Sequence, residues 1–157
     1  MKISLKLCLL ISLLLLATAE SSEYKNSQHN TWLKKTFGEQ HEALIPVVAV
    51  ADMLFSCNKE RLIEPVTYKL SDLIFNMDKK RLAQKLSACL KDDKMQSEIA
   101  LNFGLEGCFY DQLAHLSDVE RDEKMILVKK TMQPLSLNER KKSFTRCVTS
   151  QAIQYLQ

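Results

Sequence analysis

The sequence predicts an all-α fold, a single-domain helical bundle stapled by disulfides. Only three glycines and three prolines occur in 157 residues, which is too few turn formers for a protein built from many strands. Strong helix formers such as Leu, Lys, Gln, Glu and Ala are plentiful instead. Helix-capping signatures and widely spaced cysteines, which suit helices tied together covalently, favour the same fold class.

Residues 1–19 have the organisation of a cleaved signal peptide. Lys2 and Lys6 supply a positive start, residues 7–16 form an apolar run, and Ala-Thr-Ala at 17–19 matches the small-x-small cleavage pattern. The alternative is an N-terminal membrane anchor. A spanning helix needs about 20 apolar residues, and this run is shorter, so the cleaved signal is favoured.

The expected cleavage after Ala19 changes both the cysteine count and the charge. It removes Cys8 and two lysines, so that 20 basic residues remain against 19 acidic ones and the net charge falls from +3 to +1. A near-neutral chain gives no electrostatic reason to expect binding to nucleic acid or to anionic membrane. No later stretch is apolar for long enough to span a bilayer. We therefore expect a secreted mature protein that starts near Glu20 and is extracellular or periplasmic.

Residues 20–41 are predicted to be an N-terminal polar segment. Within it, 28–37 has the pattern of a short amphipathic helix that ends at Gly38. The segment contains the only tryptophan of the chain, and tryptophan is enriched among interface hot spots. The alternative is that this tryptophan packs on the body of the protein. The candidate partner-binding residues are Trp32, Leu33 and Phe37.

Residues 42–157 are predicted to form the helical domain. Its first helix is expected over 42–56, with Pro46 tolerated in the first turn. The stretch 44–55 is apolar on all sides, which is typical of a helix buried in its own core. Burial in a dimer interface or against an apolar ligand remains an alternative.

The middle of the domain is divided by Pro65 and by two glycines. A proline ends a helix, and glycine weakens one. We expect a turn or short helix at 67–76, a helix at 78–91, two further helices at 94–103 and 108–116, and an opening of the chain at Gly104 and Gly107 between them.

Two capping boxes predict the starts of the last two helices. Ser117 is followed three residues later by Glu120, and Ser136 by Glu139. In such a box, the serine and glutamate side chains satisfy backbone amides that the first helical turn leaves unpaired. One helix should therefore run to Met132, before Pro134, and the last should cover about 137–155.

Four cysteines remain after signal cleavage, and they predict two disulfides. An even number of cysteines in an exported chain is typical of a disulfide framework. A zinc site is the alternative, but zinc ligands usually come as close pairs, whereas neighbouring cysteines here are tens of residues apart. The cysteines are Cys57, Cys89, Cys108 and Cys147.

The cysteines also lie in two similar sequence patterns. Residues 83–90 align with 141–148, and 54–62 resembles 105–113, with the cysteines in corresponding places. This similarity suggests two repeated helical units, although chance similarity between leucine-rich helices is the alternative. Pairing within each unit is then the simplest of three possible connectivities. It links Cys57 to Cys89 and Cys108 to Cys147.

The helices predicted over 78–91 and 137–155 each carry a cysteine on an apolar stripe. The apolar residues are spaced i, i+4, i+7 and i+8 in the first helix and i, i+3, i+4, i+8 and i+11 in the second, and either spacing places them on one helical face. The cysteines should therefore be buried and not exposed among the flanking lysines. The stripes are Leu82, Leu86, Cys89 and Leu90 in one helix, and Phe144, Cys147, Val148, Ala152 and Tyr155 in the other.

The sequence contains no convincing catalytic motif. A cysteine nucleophile needs a free thiolate, which an even number of paired cysteines does not provide, so proximity of Cys108 to His115 carries little weight. We predict no catalytic site, no metal and no cofactor. The expected function is that of a non-enzymatic binding protein acting through a protein partner, as a secreted factor, or as an inhibitor or immunity-type protein that blocks its partner. The alternative is a carrier of a small apolar ligand in a cavity of the bundle, and a homodimer is compatible with either.

Overall fold

The computed structural model describes residues 20–157, with the side chains of 20–30, 33 and 34 left out. The predicted signal peptide 1–19, with Cys8, lies outside the described residues. The described chain is all-α and contains no strand, which confirms the predicted fold class. Its helices are α1 (Glu20–Arg61), α2 (Leu70–Phe75), α3 (Lys79–Leu90), α4 (Glu98–Gln112), α5 (Asp118–Met132) and α6 (Leu137–Gln154).

The prediction of two helices between residues 28 and 56 is wrong, because α1 runs through Gly38 and Pro46 without a break. A glycine costs a helix only about 1 kcal/mol relative to alanine, and the flanking residues are good helix formers. An interior proline costs about 3 kcal/mol, and burial of Val47, Val48 and Ala51 directly after it provides compensating packing. The chain divides into two compact units, one that ends at Glu39 and one that begins at Gln40.

The predicted opening at Gly104 and Gly107 is also wrong, because both glycines lie inside α4. A Cβ atom on Gly107 would overlap the backbone of Asp52 in α1, and one on Gly104 would overlap the ring of Phe144 in α6. The two glycines therefore allow α1 and α6 to approach α4 closely. Their role is helix packing and not helix breaking.

The core of the second unit is formed by one cluster of buried apolar side chains from α1 to α6. It includes the predicted stripes of α3 and α6, except that Tyr155 is only partly buried. Much of the apolar stretch 44–55 also belongs to it, which confirms that this stretch is core. Members from α1 and α4 include Val47, Val48, Ala51, Leu54, Phe55, Leu101, Phe103 and Leu105.

The two disulfides have the predicted connectivity, Cys57–Cys89 and Cys108–Cys147. The Cα atoms are 6.2 Å apart in each pair, and all four residues are buried. In the chain-entropy description, closing loops of this length stabilises the fold by about 4 kcal/mol each. The first disulfide joins α1 to α3, and the second joins α4 to α6.

Both predicted capping boxes are present. The Ser117 and Ser136 hydroxyls accept hydrogen bonds from the backbone amides of Glu120 and Glu139, and each carboxylate bonds back to its serine amide. Hydrogen bonds from the serine side chains and amides lower the pKa of both glutamates. Asp78 caps α3 in a similar way, accepting from two backbone amides.

Among residues 20–157, no helix combines the length and the apolarity that crossing a membrane requires.

Candidate binding cleft

A surface cleft of about 690 Å³ lies where the end of α1 meets the end of α4. The connection 62–69, between α1 and α2, forms one wall, and the start of α5 and the end of α6 complete it. We call this space the cleft. Its apolar and aromatic lining includes Phe55, Leu62, Val66, Tyr68, Tyr110 and Tyr155, and its charged lining comprises Lys59, Glu64, Lys69, Asp111 and Arg121.

The connection 62–69 is held in place by the side chain of Asn58. Asn58 is buried, and its amide nitrogen donates to the carbonyl oxygens of Glu64 at 3.2 Å and Val66 at 3.0 Å. Its amide oxygen accepts from the Glu64 backbone N–H at 2.9 Å. Three hydrogen bonds to one side chain give an irregular segment a defined path without secondary structure.

Glu64 adds a second anchor for the same connection. Its carboxylate pairs with the Lys85 ammonium of α3 and accepts from the Tyr68 hydroxyl. The hydrogen bonds from Lys85 and then Tyr68 lower the pKa of Glu64. Because its charge is neutralised by Lys85, Glu64 is not available as a free anion within the cleft.

The rim of the cleft exposes apolar side chains on this fixed connection. Leu62 is 77% exposed and Val66 51%, and both line the cleft. Leu62 follows the last residue of α1 and has φ 50°, the left-handed conformation that usually selects glycine at this position. Such a conformation costs a leucine about 1–2 kcal/mol. Strain of this kind is often found at binding sites.

Tyr110 of α4 forms the opposite wall and is fixed by two cations. The Lys59 ammonium lies 4.2 Å from the ring centroid, and the Arg121 guanidinium lies 4.8 Å from it. Arg121 also donates to the Tyr110 hydroxyl at 2.9 Å and to the carbonyl oxygens of Leu113 and Leu116 after α4. Phe55 packs against the same ring, with centroids 4.9 Å apart. This wall is therefore rigid and aromatic.

A cluster of polar side chains lies behind the cleft, between α1, α4 and α6. The Gln151 amide nitrogen donates to Asp52 Oδ1 at 3.1 Å and to Asp111 Oδ2 at 2.9 Å. The Tyr155 hydroxyl donates to Asp111 Oδ1 at 3.0 Å. Asp111 and Tyr155 line the cleft, whereas Asp52 and Gln151 are fully buried. We call these four residues the polar cluster.

The polar cluster was not predicted from the sequence. A signal was available, because Asp52 is the only charged residue between Glu42 and Lys59, within an otherwise apolar stretch. Its partners come from α4 and α6, roughly 60 and 100 residues further along the chain. Helical periodicity within one segment gives no information on such distant partners.

The predicted partner-binding residues lie in the other unit, at Trp32 and Phe37. Trp32 is 55% exposed, and its ring meets that of Phe37 edge to face, with centroids 5.7 Å apart. Leu33 belongs to the same helix, but its side chain lies outside the described residues. Their role in binding a partner stays a prediction.

The two histidines whose side chains are described make local or structural contacts. His41 Nε2 lies 3.0 Å from the Thr149 carbonyl oxygen, and His115 Nδ1 lies 3.1 Å from that of Gln112. Cys108, the cysteine nearest His115 in sequence, is engaged in its disulfide. No group of three or more potential metal ligands is found in the part of the chain whose side chains are described.

No protein-family model, curated protein sequence or solved structure matches the chain.

Proposed function

We propose that this is a non-enzymatic binding protein that acts outside the cytoplasm through a protein partner, as a secreted factor, or as an inhibitor or immunity-type protein that blocks its partner. The site that supports this proposal is the cleft, into which an apolar segment of the partner would insert. The observation that carries it is the pairing of a rigid aromatic wall at Tyr110 with an exposed apolar rim on the connection 62–69.

The rim supports a macromolecular partner. Leu62 and Val66 project from a connection that Asn58 holds by three hydrogen bonds, so the fold keeps both side chains exposed to water. Exposed apolar patches next to a groove are typical of interaction sites. A wall that is already ordered loses little conformational entropy when a partner binds. The rim therefore offers apolar contact area beyond the cleft itself.

The charged residues of the cleft suit the edge of such an interface. Lys69 is exposed and forms no ion pair among the described residues, and Lys59 has only an exposed pair with Asp122 at 3.5 Å. Charged groups at the rim of an interface affect orientation and association rate more than affinity. We expect the apolar partner segment to carry acidic residues beside its anchor.

A carrier of a small apolar ligand is the second candidate function. A volume of about 690 Å³ falls within the range of roughly 300–1,000 Å³ that small-molecule sites occupy. Phe55, Tyr68, Tyr110 and Tyr155 supply the aromatic lining such ligands favour. A ligand in this cleft would remain partly exposed, because the cleft opens to the surface between helix ends.

Two exposed valines provide a matched test of the protein-partner proposal. Val66 lies on the rim, and Val119, which is 71% exposed, lies on α5 and does not line the cleft. Val66→Asp should weaken partner binding at least tenfold, because the added carboxylate would be desolvated in an apolar interface. Val119→Asp should bind as the wild type does. Both variants should melt near the wild-type temperature, since exposed substitutions rarely change stability by more than about 0.5 kcal/mol.

In the binding measurement, immobilised mature protein is incubated with the native extracellular or periplasmic fraction, and the bound proteins are identified. The purified protein is analysed in parallel by native mass spectrometry. Capture of one protein that Val66→Asp loses and Val119→Asp keeps supports the proposal. Equal capture by both variants contradicts the cleft as the site. A co-purifying small molecule that only Val66→Asp loses would favour the carrier instead.

Export is the remaining part of the proposal. The two intramolecular disulfides suit an oxidising compartment, and residues 1–19 have the features of a signal peptide. We expect the protein recovered from the extracellular or periplasmic fraction to begin at Glu20. N-terminal sequencing that found Met1 intact would favour a membrane anchor instead.

A further inference from the structure

Asp52 of α1 is fully buried without a cationic partner. Three groups act on it from the neighbouring helices: Asp111 from α4, and Gln151 and Tyr155 from α6. One of these is a second carboxylate, one is an amide and one is a phenol. A buried carboxylate in such surroundings is strongly disfavoured in its ionised form.

The hydrogen bonds of the polar cluster lack one donor. Gln151 uses both protons of its amide nitrogen, one for Asp52 and one for Asp111. Its amide oxygen Oε1 and the second carboxyl oxygen of Asp52, Oδ2, are both buried without a partner. Both atoms are acceptors while Asp52 is ionised, so they cannot bond to each other.

One proton on Asp52 would satisfy both atoms. A protonated carboxyl group and a primary amide can pair through two hydrogen bonds, one from the amide N–H and one from the acid O–H. The first of these is already present between Gln151 Nε2 and Asp52 Oδ1. Burial, and to a smaller extent the charge of Asp111, raise the pKa of Asp52 well above its ordinary value, although the Gln151 hydrogen bond opposes them.

We propose that the folded protein holds Asp52 as a neutral acid that donates from Oδ2 to Gln151 Oε1, and that release of this proton to solvent changes the shape of the cleft. After release, Asp52 Oδ2 and Gln151 Oε1 are two acceptors without a proton between them, and the carboxylates of Asp52 and Asp111 repel each other. Asp111 and Tyr155, which is bound to it, both line the cleft. The polar cluster is thus a pH-sensitive switch next to the binding site.

The packing indicates which element would move. Gly107 of α4 lies directly against the backbone of Asp52, so α1 and α4 are in close contact at this point. Tyr155 is the C-cap residue of α6 and is only partly buried. A partly buried helix end opens at a lower free energy than a close crossing of two buried helices. We therefore expect proton release to displace Gln151 and Tyr155 and not α4.

Carbon NMR of the carboxyl groups tests the switch on the intact, disulfide-bonded mature protein. We expect the Asp52 carboxyl signal to titrate well above the pH range in which aspartate titrates in unfolded chains, because burial disfavours its ionised form. Signals of Tyr155 and Ala114, at the cleft, should shift with the same midpoint. An ordinary midpoint for Asp52 would overturn the proposal, and a raised midpoint that leaves Tyr155 and Ala114 unaffected would overturn the switch.

Asp52→Asn provides an independent test, because its amide can donate to Gln151 Oε1 at every pH. A carboxyl whose pKa is raised by folding stabilises the protein fully below its unfolded pKa, and this contribution is lost as pH rises through the folded pKa. The melting temperature of the wild type should therefore fall, relative to that of Asp52→Asn, as pH rises from acid to alkaline values. Parallel pH profiles for the two proteins would contradict the neutral acid.

Asp111→Asn serves as the control variant. It removes the like charge that faces Asp52 but leaves a side-chain amide of the same size at the cleft wall. We expect the titration midpoint of Asp52 to fall in this variant while staying above the ordinary value, because burial remains. An unchanged midpoint would show that Asp111 does not act on Asp52, and would contradict the repulsion on which the switch depends.

Discussion

The face of α6 that carries Phe144 and the connection 62–69 both present large apolar side chains, but in opposite environments. Phe144 is 8% exposed and packs its ring on Gly104, and Cys147 beside it is joined to α4. Leu62 and Val66 are exposed on a segment that hydrogen bonds to Asn58 hold in place. Apolar side chains on the α6 face stabilise the fold, whereas those on the connection remain exposed to solvent and are the contacts proposed for a partner. Substitutions in the two regions should therefore separate stability from binding.

Phe144→Ala should have the largest effect on stability. Truncating a buried phenylalanine typically costs about 3–5 kcal/mol, because apolar contacts are lost and the cavity collapses only partly. Thermal denaturation of the mature protein should show a melting temperature lower by roughly ten degrees or more. A variant that melts like the wild type would mean that this face of α6 is not part of the core.

Removing the disulfide next to Phe144 should lower the free energy of unfolding nearly as much as Phe144→Ala does. The double variant Cys108→Ala with Cys147→Ala frees a loop of 39 residues, for which the chain-entropy description gives about 4 kcal/mol. The matched control removes Cys57–Cys89, whose separation of 32 residues predicts a slightly smaller loss. Denaturant titration measures both free energies of unfolding. Loss of stability from only one of the two pairs would contradict their equivalent role.

Leu62→Gly, on the rim of the cleft, should raise the stability of the protein, whereas the two preceding changes lower it. Glycine adopts positive φ without strain, but it also raises the conformational entropy of the unfolded chain. We expect the free energy of unfolding to rise by about 0.5 kcal/mol as the net of these two effects. Leu62→Ala is the control, since it removes the side chain but keeps the strained conformation. Both variants should weaken partner binding, but only Leu62→Gly should unfold at higher denaturant concentration. A glycine variant less stable than the alanine variant would contradict the strain.

Trp32→Ala should have the smallest effect on stability. Half of the Trp32 side chain is exposed, and exposed substitutions usually change the free energy of unfolding by less than about 0.5 kcal/mol. Binding is the informative measurement here. If Trp32→Ala loses the partner while Val66→Asp retains it, the binding site is the N-terminal helix and not the cleft. If Trp32→Ala unfolds the protein, the tryptophan is a packing residue.

Local chemistry made several features predictable. The capping boxes at Ser117 and Ser136 depend only on residues three positions apart, and both are present. The burial of Cys89 and Cys147 follows from the helical period of their neighbours. The disulfide connectivity followed from a similarity between two halves of the sequence, and the structure confirms it. Each of these features is encoded by residues close together in the chain or by repetition along it.

The glycines of α4 show where this local reasoning fails. Gly104 and Gly107 lower helix propensity, so the sequence predicted a break, yet both lie in a continuous helix. Their missing side chains make room for Phe144 and for the backbone of Asp52. The packing that this close approach permits outweighs a propensity cost of about 1 kcal/mol per glycine. Pro46 in α1 is a similar case, since the buried residues after it offset its cost, whereas a Cβ on Gly38 would meet nothing within 4 Å and this glycine costs the helix only its propensity.

The sequence by itself determined the fold class, the caps, the buried cysteines and their pairing, because these depend on short-range periodicity and on covalent chemistry. Only the tertiary structure decided that Asp52 meets Gln151 and Asp111, and that Leu62 lies opposite Tyr110 across a cleft. Those neighbours belong to helices far apart in the chain. These residues come into contact only if the helices pack closely, and the separation of the helices depends on the whole core and not on any single segment.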